Sequence, residues 1–350
     1  MDPLEAISVP APQFSEAAAL RTLQTDFGLH GELLPLVSER DQNFCVTTAD
    51  GQRFIFKIAN ASEPQAVTDF QIAALLHIEQ QKCSVVTPRV KRTVNGKVAA
   101  WMTGEQDDAP AHCCRVVSFI AGDLMSSATL TPELVAHFGS SAARLDLALG
   151  DFEYDATGQV LLWDLQRASA LRELLRYVED RKLQDAVSSC IDDFDSLVKP
   201  ALPRFRRQAI HGDLNPDNVL TTCTGQVAGF IDFGDMLNAP LIMETAIACS
   251  YLRPGANDNV LDRVKPFIGA YHRILPLHDQ ELELLFELLR ARLAASITIL
   301  RWRAAVRGPN DAYIQQNLEG ESDAAGFLLR LAELGSDQFI DQIHKYIKNK

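Results

Sequence analysis

The chain has 350 residues, 47% of them hydrophobic and 23% charged, with a formal net charge of −13. That length can bury a substantial core and suggests two or three structural units. The acidic balance argues against a nucleic-acid partner for the surface as a whole and favours small cationic substrates.

The opening MDPLEAISVP lacks a basic n-region followed by an apolar h-region, so no signal peptide is expected. The most apolar helical stretch, 281–300, carries Glu281, Glu283, Glu287, Arg290 and Arg292, which argues against a membrane span and a membrane partner. Seven cysteines follow no regular framework, and Cys113 and Cys114 are adjacent. Reduced thiols and a cytoplasmic location are expected.

In chain order, residues 15–29 open with an N-cap Ser and run at helical period. Strands are predicted at about 43–48 and 52–58, joined at Asp50-Gly51, followed by a helix over 63–80. RVKRTVNGKVAAWM reads as a hairpin turning at Asn95-Gly96, and CCRVVSF as a further strand. The first third is therefore roughly five strands with one inserted helix. A helix over 131–149 begins at Thr-Pro-Glu, and 166–200 reads as two helices. One hairpin, about 218–221 and 227–231, is the only strand pair expected in the remainder. Helices follow at about 240–253, 257–273, 278–306 and 322–347.

The chemistry concentrates at 210–235. IHGDLNPDNVL sets polar groups between core-seeking residues, and GFIDFGD follows ten residues later. Phosphoryl transfer asks little covalent chemistry of a protein. It needs a carboxylate to position an attacking hydroxyl, and oxygen ligands to hold Mg2+ on the phosphates. Asp213, Asn218 five residues on and Asp232 fourteen further supply that inventory.

The two motifs resemble the catalytic and metal loops of the protein-kinase-like fold. The form HGDLNPDN, with Gly after His, is similar to the aminoglycoside phosphotransferase and choline kinase branch. The resemblance implies an α+β, bilobal protein. A small N-terminal lobe with an antiparallel sheet and a helix would cover 1–117, a hinge 118–122, and a larger, mainly helical catalytic lobe 123–350. It implies Asp213 as catalytic base, Asn218 and Asp232 as ligands of Mg2+ or Mn2+, and GTP or ATP as donor. Lys57 in FIFKIAN would serve the phosphates, with Asp69 on the next helix as acidic partner and Glu63 as second choice. SERDQN at 38–43 lacks the glycines of a phosphate-binding loop, so Ser38, Arg40, Gln42 and Asn43 would donate hydrogen bonds instead. Backbone groups near Ser118 and Ile120 would read the purine edge.

LVSERDQNF, FKIANA, WDL, HGDLNPDNVL and IDFGDM together are similar to a narrower group, the hydroxylysine kinases and their bacterial relatives, over about 28–305. That implies an amine-bearing alcohol as acceptor, with transfer to the 5-hydroxyl of hydroxylysine. Between 121 and 165, Asp123, Glu133, Asp146, Asp151, Glu153, Asp155 and Asp164 face one basic residue, Arg144. Such an acidic segment would attract an ammonium group, or form a solvated face. Arg167, Arg253 and Arg292 are candidates for meeting an acceptor carboxylate. Glu244 would bind an amine or brace the catalytic loop; Asp235 would join the acidic site or bond the loop; Asp217 would cap it. An amino-sugar kinase and a nucleotide-binding pseudokinase module are the alternatives, and the oligomeric state stays open.

Overall fold

A computed structural model of the chain describes residues 11–38, 40–81, 83–104, 109–154, 161–255, 257–308 and 311–349. They gather into two compact units. The first takes Met1–Ala121, Phe152–Val160 and Ala228–Gly234, and the second takes Gly122–Asp151, Leu161–Val227 and Asp235–Lys350.

The first unit opens with helix α1, Glu16–Phe27, whose first turn is capped by the Ser15 hydroxyl and whose last is closed by Gly28 in the left-handed region. Strands β1 (Gly31–Leu36), β2 (Gln42–Thr48) and β3 (Arg53–Ile58) lead to helix α2, Gln65–Gln80. Strands β4 (Val90–Lys91), β5 (Ala100–Thr103) and β6 (Ala111–Ser118) complete an antiparallel sheet of order β1-β2-β3-β6-β4, with β5 also on β6. The sequence pattern missed β1, because GELLPL shows no alternation and contains a proline that only an edge strand tolerates. The turn at Asn95-Gly96 forms, with Gly96 N–H donating to the Thr93 carbonyl at 2.9 Å. Beyond the Thr93 N–H to Lys97 carbonyl bond at 2.8 Å, its two arms nevertheless form no ladder with each other. Lys91 lies opposite Val116 and Ala100 opposite Cys114, so both arms lie along β6. Pairing this way satisfies an edge of β6 that a local hairpin would leave without partners.

Alternation along the strands sorts this sheet into two faces. Phe44, Val46, Phe56, Ile58, Cys114 and Val116 pack with Ala19, Leu23 and Phe27 of α1 in one buried core. The opposite face carries a polar row, Asn43 beside Lys57 beside Arg115.

The second unit is mainly helical. It contains β7 (Asp123–Leu124), helix α3 (Pro132–Ala148) capped by Thr131, and helix α4 (Arg181–Asp193). Residues Leu165–Tyr177 are a 3-10 stretch with a non-helical Arg167, not the α-helix expected there. The buried residues explain it: Leu165, Ala168, Leu171 and Leu174 recur every third position, the period of a three-residue turn. Strand β8 (Arg207–Ile210) pairs antiparallel with β11 (Leu237–Pro240), Ile210 opposite Leu237. These two unexpected strands bracket both polar motifs. Between them in sequence come β9 (Val219–Thr221) and β10 (Val227–Phe230).

Helices α5 (Ile242–Ser250), α6 (Val264–Ile274) and α7 (Asp279–Arg307) follow. The helix expected over 322–347 is two, α8 (Ala312–Leu334) and α9 (Ser336–Lys348), divided at Gly335 with φ +78°. Four charges of α7 are paired within the fold: Glu281 with Arg206 at 2.8 Å, Glu287 with Arg290 at 2.6 Å and Arg292 with Asp213 at 2.9 Å. Among the described residues, no helix is long and apolar enough to cross a membrane. All seven cysteines are free thiols.

Candidate active site

Each unit carries its own part of the polar apparatus. In the second, β8 ends at Ile210 and releases His211, Gly212 and Asp213. Gly212 has φ +80°, and a Cβ there would sit 2.4 Å from the Asp235 carbonyl oxygen and 2.6 Å from Leu237 Cδ2. Only glycine fits both the left-handed backbone and the close approach. The Asp213 carboxylate is held from three sides. Oδ1 accepts from Arg292 Nη2 at 2.9 Å, and Oδ2 accepts from Asn215 Nδ2 at 2.7 Å and Asn218 Nδ2 at 3.0 Å. The Asn218 amide nitrogen also donates to the Asp213 carbonyl at 2.9 Å. With its nitrogen committed to Asp213, the Asn218 amide keeps its oxygen as its acceptor end. Asn215, not Asp217, caps the short turn that follows: its Oδ1 accepts the Asp217 N–H at 2.7 Å.

Arg292 is 3% exposed and also donates to the Trp163 carbonyl at 3.1 Å and the Tyr251 hydroxyl at 3.2 Å. It is therefore part of the Asp213 support, not a free cation awaiting an acceptor carboxylate. Arg253 is likewise committed, to the carbonyls of Ser250 and Gly320. Asp235 accepts from the Trp163 indole N–H at 3.1 Å, which brings Trp163 and Asp235 into the same group. Asp164 caps the 3-10 stretch by accepting the Gln166 N–H at 2.9 Å, and burial raises its pKa.

Glu244 is fully buried, and Oε2 accepts the Gly212 N–H at 3.2 Å. Burial, reinforced by Asp146, pushes its carboxyl well above the ordinary range. Of the two roles expected for it, this geometry is that of a brace under the loop. Asp146 is also fully buried and accepts from the Tyr271 hydroxyl at 2.5 Å. The acids of 121–165 thus do not act as one group. Asp146 and Asp164 are taken up as described, Glu153 belongs to the first unit and Asp155 lies outside the described residues. Asp123, Glu133 and Asp151 are exposed.

Burial raises the Asp146 pKa to about 7, against the opposing Tyr271 hydrogen bond and the Arg206 charge. In the unfolded chain this carboxyl titrates near 3.8. The folded state therefore binds the extra proton, so this contribution to stability is full below about pH 4 and lost as pH rises through about 7. Asp146→Asn keeps an acceptor for Tyr271 and removes the titration. Urea unfolding from pH 4.5 to 8 should show wild type losing stability relative to this variant as pH rises. Parallel curves would remove Asp146 from the linkage.

In the first unit, Lys57 Nζ lies 2.8 Å from Asp232 Oδ1. Asp232 has φ +58° and is the one non-glycine with positive φ among the described residues. That conformation costs energy in an L-residue and recurs at functional positions. Lys57 thus pairs with Asp232, and neither Asp69 nor Glu63 takes the expected place beside it. Glu63 accepts from the Thr68 hydroxyl at 2.7 Å, and burial raises its pKa. The polar residue that α2 sends to the 232–234 loop is Gln71, whose Nε2 donates to the Gly234 carbonyl at 2.8 Å.

Around the glycine-free loop, Glu39 lies outside the described residues. Ser38 Oγ accepts the Asp41 N–H at 3.3 Å and so supports the turn itself. Arg40 sends Nη2 to 3.9 Å from the point a Cβ on Gly234 would occupy. Asn43, in the row with Lys57, has a buried amide oxygen without a hydrogen-bond partner. The Ser118 N–H donates to the Arg89 carbonyl at 2.9 Å, and its hydroxyl accepts the Arg89 N–H at 2.9 Å. Those two groups are spent within the fold and are not open to the purine expected there.

The donor set suits a hard cation. Among the described residues no cluster of three or more His, Cys, Asp or Glu could hold a metal. The Asp232 carboxylate in the first unit and the Asn218 amide oxygen in the second are each hard oxygen donors of the kind Mg2+ accepts.

Trp163, Tyr251, Gln71 and Arg115 were not singled out as site residues in the sequence. For two of them a signal was present: Gln71 interrupts an apolar helical run, and Arg115 interrupts an apolar strand.

The profile of a family described as "Phosphotransferase enzyme family" matches residues 32–283. The chain is 26% identical to a hydroxylysine kinase of Danio rerio, covering 93% of this chain and 94% of that one. It is 27% identical to a homoserine kinase of Methylobacillus glycogenes, covering 72% and 74%. Among solved structures, an amicoumacin kinase in complex with AMP-PNP, Ca2+ and Ami matches with a TM-score of 0.67 at 15% identity, covering 94% of each chain. That likeness shows a kinase-like fold.

Proposed function

Because the chain belongs to the phosphotransferase enzyme family and is a small-molecule phosphotransferase, we propose that it carries the γ-phosphoryl group of GTP or ATP to the hydroxyl of an amine-bearing alcohol of amino-acid size, 5-hydroxy-L-lysine first in line. The observation that carries this reading is Asp213, a carboxylate anchored through both oxygens to Arg292, Asn215 and Asn218. A carboxylate so fixed cannot swing away. It accepts a hydrogen bond from the acceptor hydroxyl, orients it and takes its proton late, as a loose phosphoryl-transfer transition state demands.

Lys57 and Arg40 meet the phosphates of the donor, and Asn218 and Asp232 hold Mg2+ or Mn2+. When bound, the cation neutralises charge on the phosphate oxygens. Asp235, oriented by Trp163, is the carboxylate we assign to the acceptor's ammonium group. The likeness to hydroxylysine and homoserine kinases supports an acceptor that is a hydroxylated amino acid.

The test is nucleoside diphosphate release, with ATP and with GTP, across 5-hydroxylysine, its ε-N-acetyl derivative, homoserine and a kanamycin-type amino sugar. A desolvated charge-assisted contact contributes roughly 1.5–3 kcal/mol, so acetylation should lower kcat/KM by about 10- to 150-fold. Equal turnover of the acetylated compound discards the ammonium site. Turnover of the amino sugar with none on hydroxylysine moves the acceptor class while leaving Asp213 in its role.

A further inference from the structure

We propose that Gln71 is the positioning residue of the metal loop: its amide, oriented by Arg115, holds the Gly234 carbonyl and through it the left-handed backbone at Asp232. The inference rests on the reading of Asp232 as a metal-holding residue.

Gln71 is 1% exposed, at the centre of α2. Its Oε1 accepts from Arg115 Nη2 at 2.6 Å, while its Nε2 donates to the Gly234 carbonyl at 2.8 Å. The orientation of the amide is unambiguous. A guanidinium only donates and a carbonyl only accepts, so the oxygen must face Arg115 and the nitrogen must face Gly234. Arg115 is itself 5% exposed and stands beside Lys57 in the sheet register, which fixes its guanidinium on the polar face.

The position demands an amide. Glutamate would satisfy Arg115 better, through a full ion pair, but would turn a carboxylate oxygen on the Gly234 carbonyl. Leucine would fill the volume and serve neither neighbour. Only an acceptor and a donor on one planar group, at glutamine's reach, complete both bonds. The held carbonyl lies two residues after Asp232. A backbone at φ +58° persists only where its surroundings over-determine it. The Lys57 ion pair holds the Asp232 side chain, and the Gln71 bond holds its backbone.

The experiment uses the full chain with Gln71→Glu, Gln71→Leu and Asp232→Ala. Hydrogen exchange is followed over residues 228–236 without metal or nucleotide, and ADP affinity is measured with and without Mg2+. Gln71→Glu keeps Arg115 satisfied, so it should fold. It should raise exchange in the loop and lower the Mg2+-dependent gain in ADP affinity, each by roughly five- to ten-fold, the value of one buried hydrogen bond. ADP affinity without Mg2+ should stay within about twofold in that variant, as expected when phosphate-facing groups are untouched. Gln71→Leu should behave alike.

If Gln71 matters only as a partner for Arg115, Gln71→Glu will leave both quantities at wild-type values, and the proposal falls. Loss of Mg2+-dependent affinity in Asp232→Ala beside an unchanged Gln71→Glu overturns the positioning role alone. Unchanged affinity in Asp232→Ala removes the metal reading, while loop exchange still decides whether Gln71 holds the backbone.

Discussion

Asp213→Asn should lower turnover by roughly 10²- to 10⁴-fold, the range for losing a positioned general base. The substitution keeps the shape of the side chain and an oxygen for Arg292, but the second oxygen becomes a donor that now faces the amide donors of Asn215 and Asn218. The acceptor hydroxyl then loses both its orientation and the destination of its proton. Stability should fall too, because the buried Arg292 is left without a compensating charge. ADP affinity measured without Mg2+ should hold, since Lys57 and Arg40 belong to the other unit, whereas Asn218 loses its Asp213 acceptor. Single-turnover kinetics at saturating substrates, beside equilibrium ADP binding, checks the separation. Near-normal turnover would mean that another group receives the proton.

Arg292→Met is the second large effect. Arg292 is 4% exposed in its side chain and Asp213 is 18% exposed, so water compensates little when the pair is broken. Removing one partner of such a pair costs roughly 3–5 kcal/mol, and the partial exposure of Asp213 places this case near the lower figure. The same change made on Asp213→Asn should cost less by at least about 1 kcal/mol, because neighbours in one network are not additive. Turnover should fall in kcat with little change in the acceptor's KM. A loss confined to KM would return Arg292 to the role of carboxylate anchor. Denaturant unfolding of the four-member cycle, with steady-state kinetics on the two single variants, distinguishes the outcomes.

Some of this was legible in the amino-acid sequence because it is written locally. His-Gly-Asp-Leu-Asn-Pro-Asp-Asn and Ile-Asp-Phe-Gly carry their spacing within a dozen residues each, and they supply the oxygens that phosphoryl transfer uses. Ser15 and Thr131 announce helix starts because capping is an affair of three or four neighbours. The strands of the first third and the helical remainder were readable from the periods of two and 3.6, and the antiparallel sheet from the resemblance. The 3-10 stretch at 165–177 is also present in the pattern, as an apolar period of three.

Pairing was decided by tertiary structure. Asn95-Gly96 makes a turn in any context, but whether its arms join each other or lie along β6 depends on which edge is open, and no local signal records that. Strands β8 and β11 are four residues each and gain their order from each other across 26 intervening residues. Electrostatic partners behave the same way. Lys57 meets Asp232 at 175 residues' separation, and Arg292 meets Asp213 at 79. A charge in the sequence states that a partner is needed once it is buried; only packing states which one. Gln71 and Arg115 are the plainest case. Each stands out as a polar residue in an apolar run, but that one orients the other against the metal loop follows from the approach of α2 to β6 and to Gly234, which the chain reaches 163 residues later.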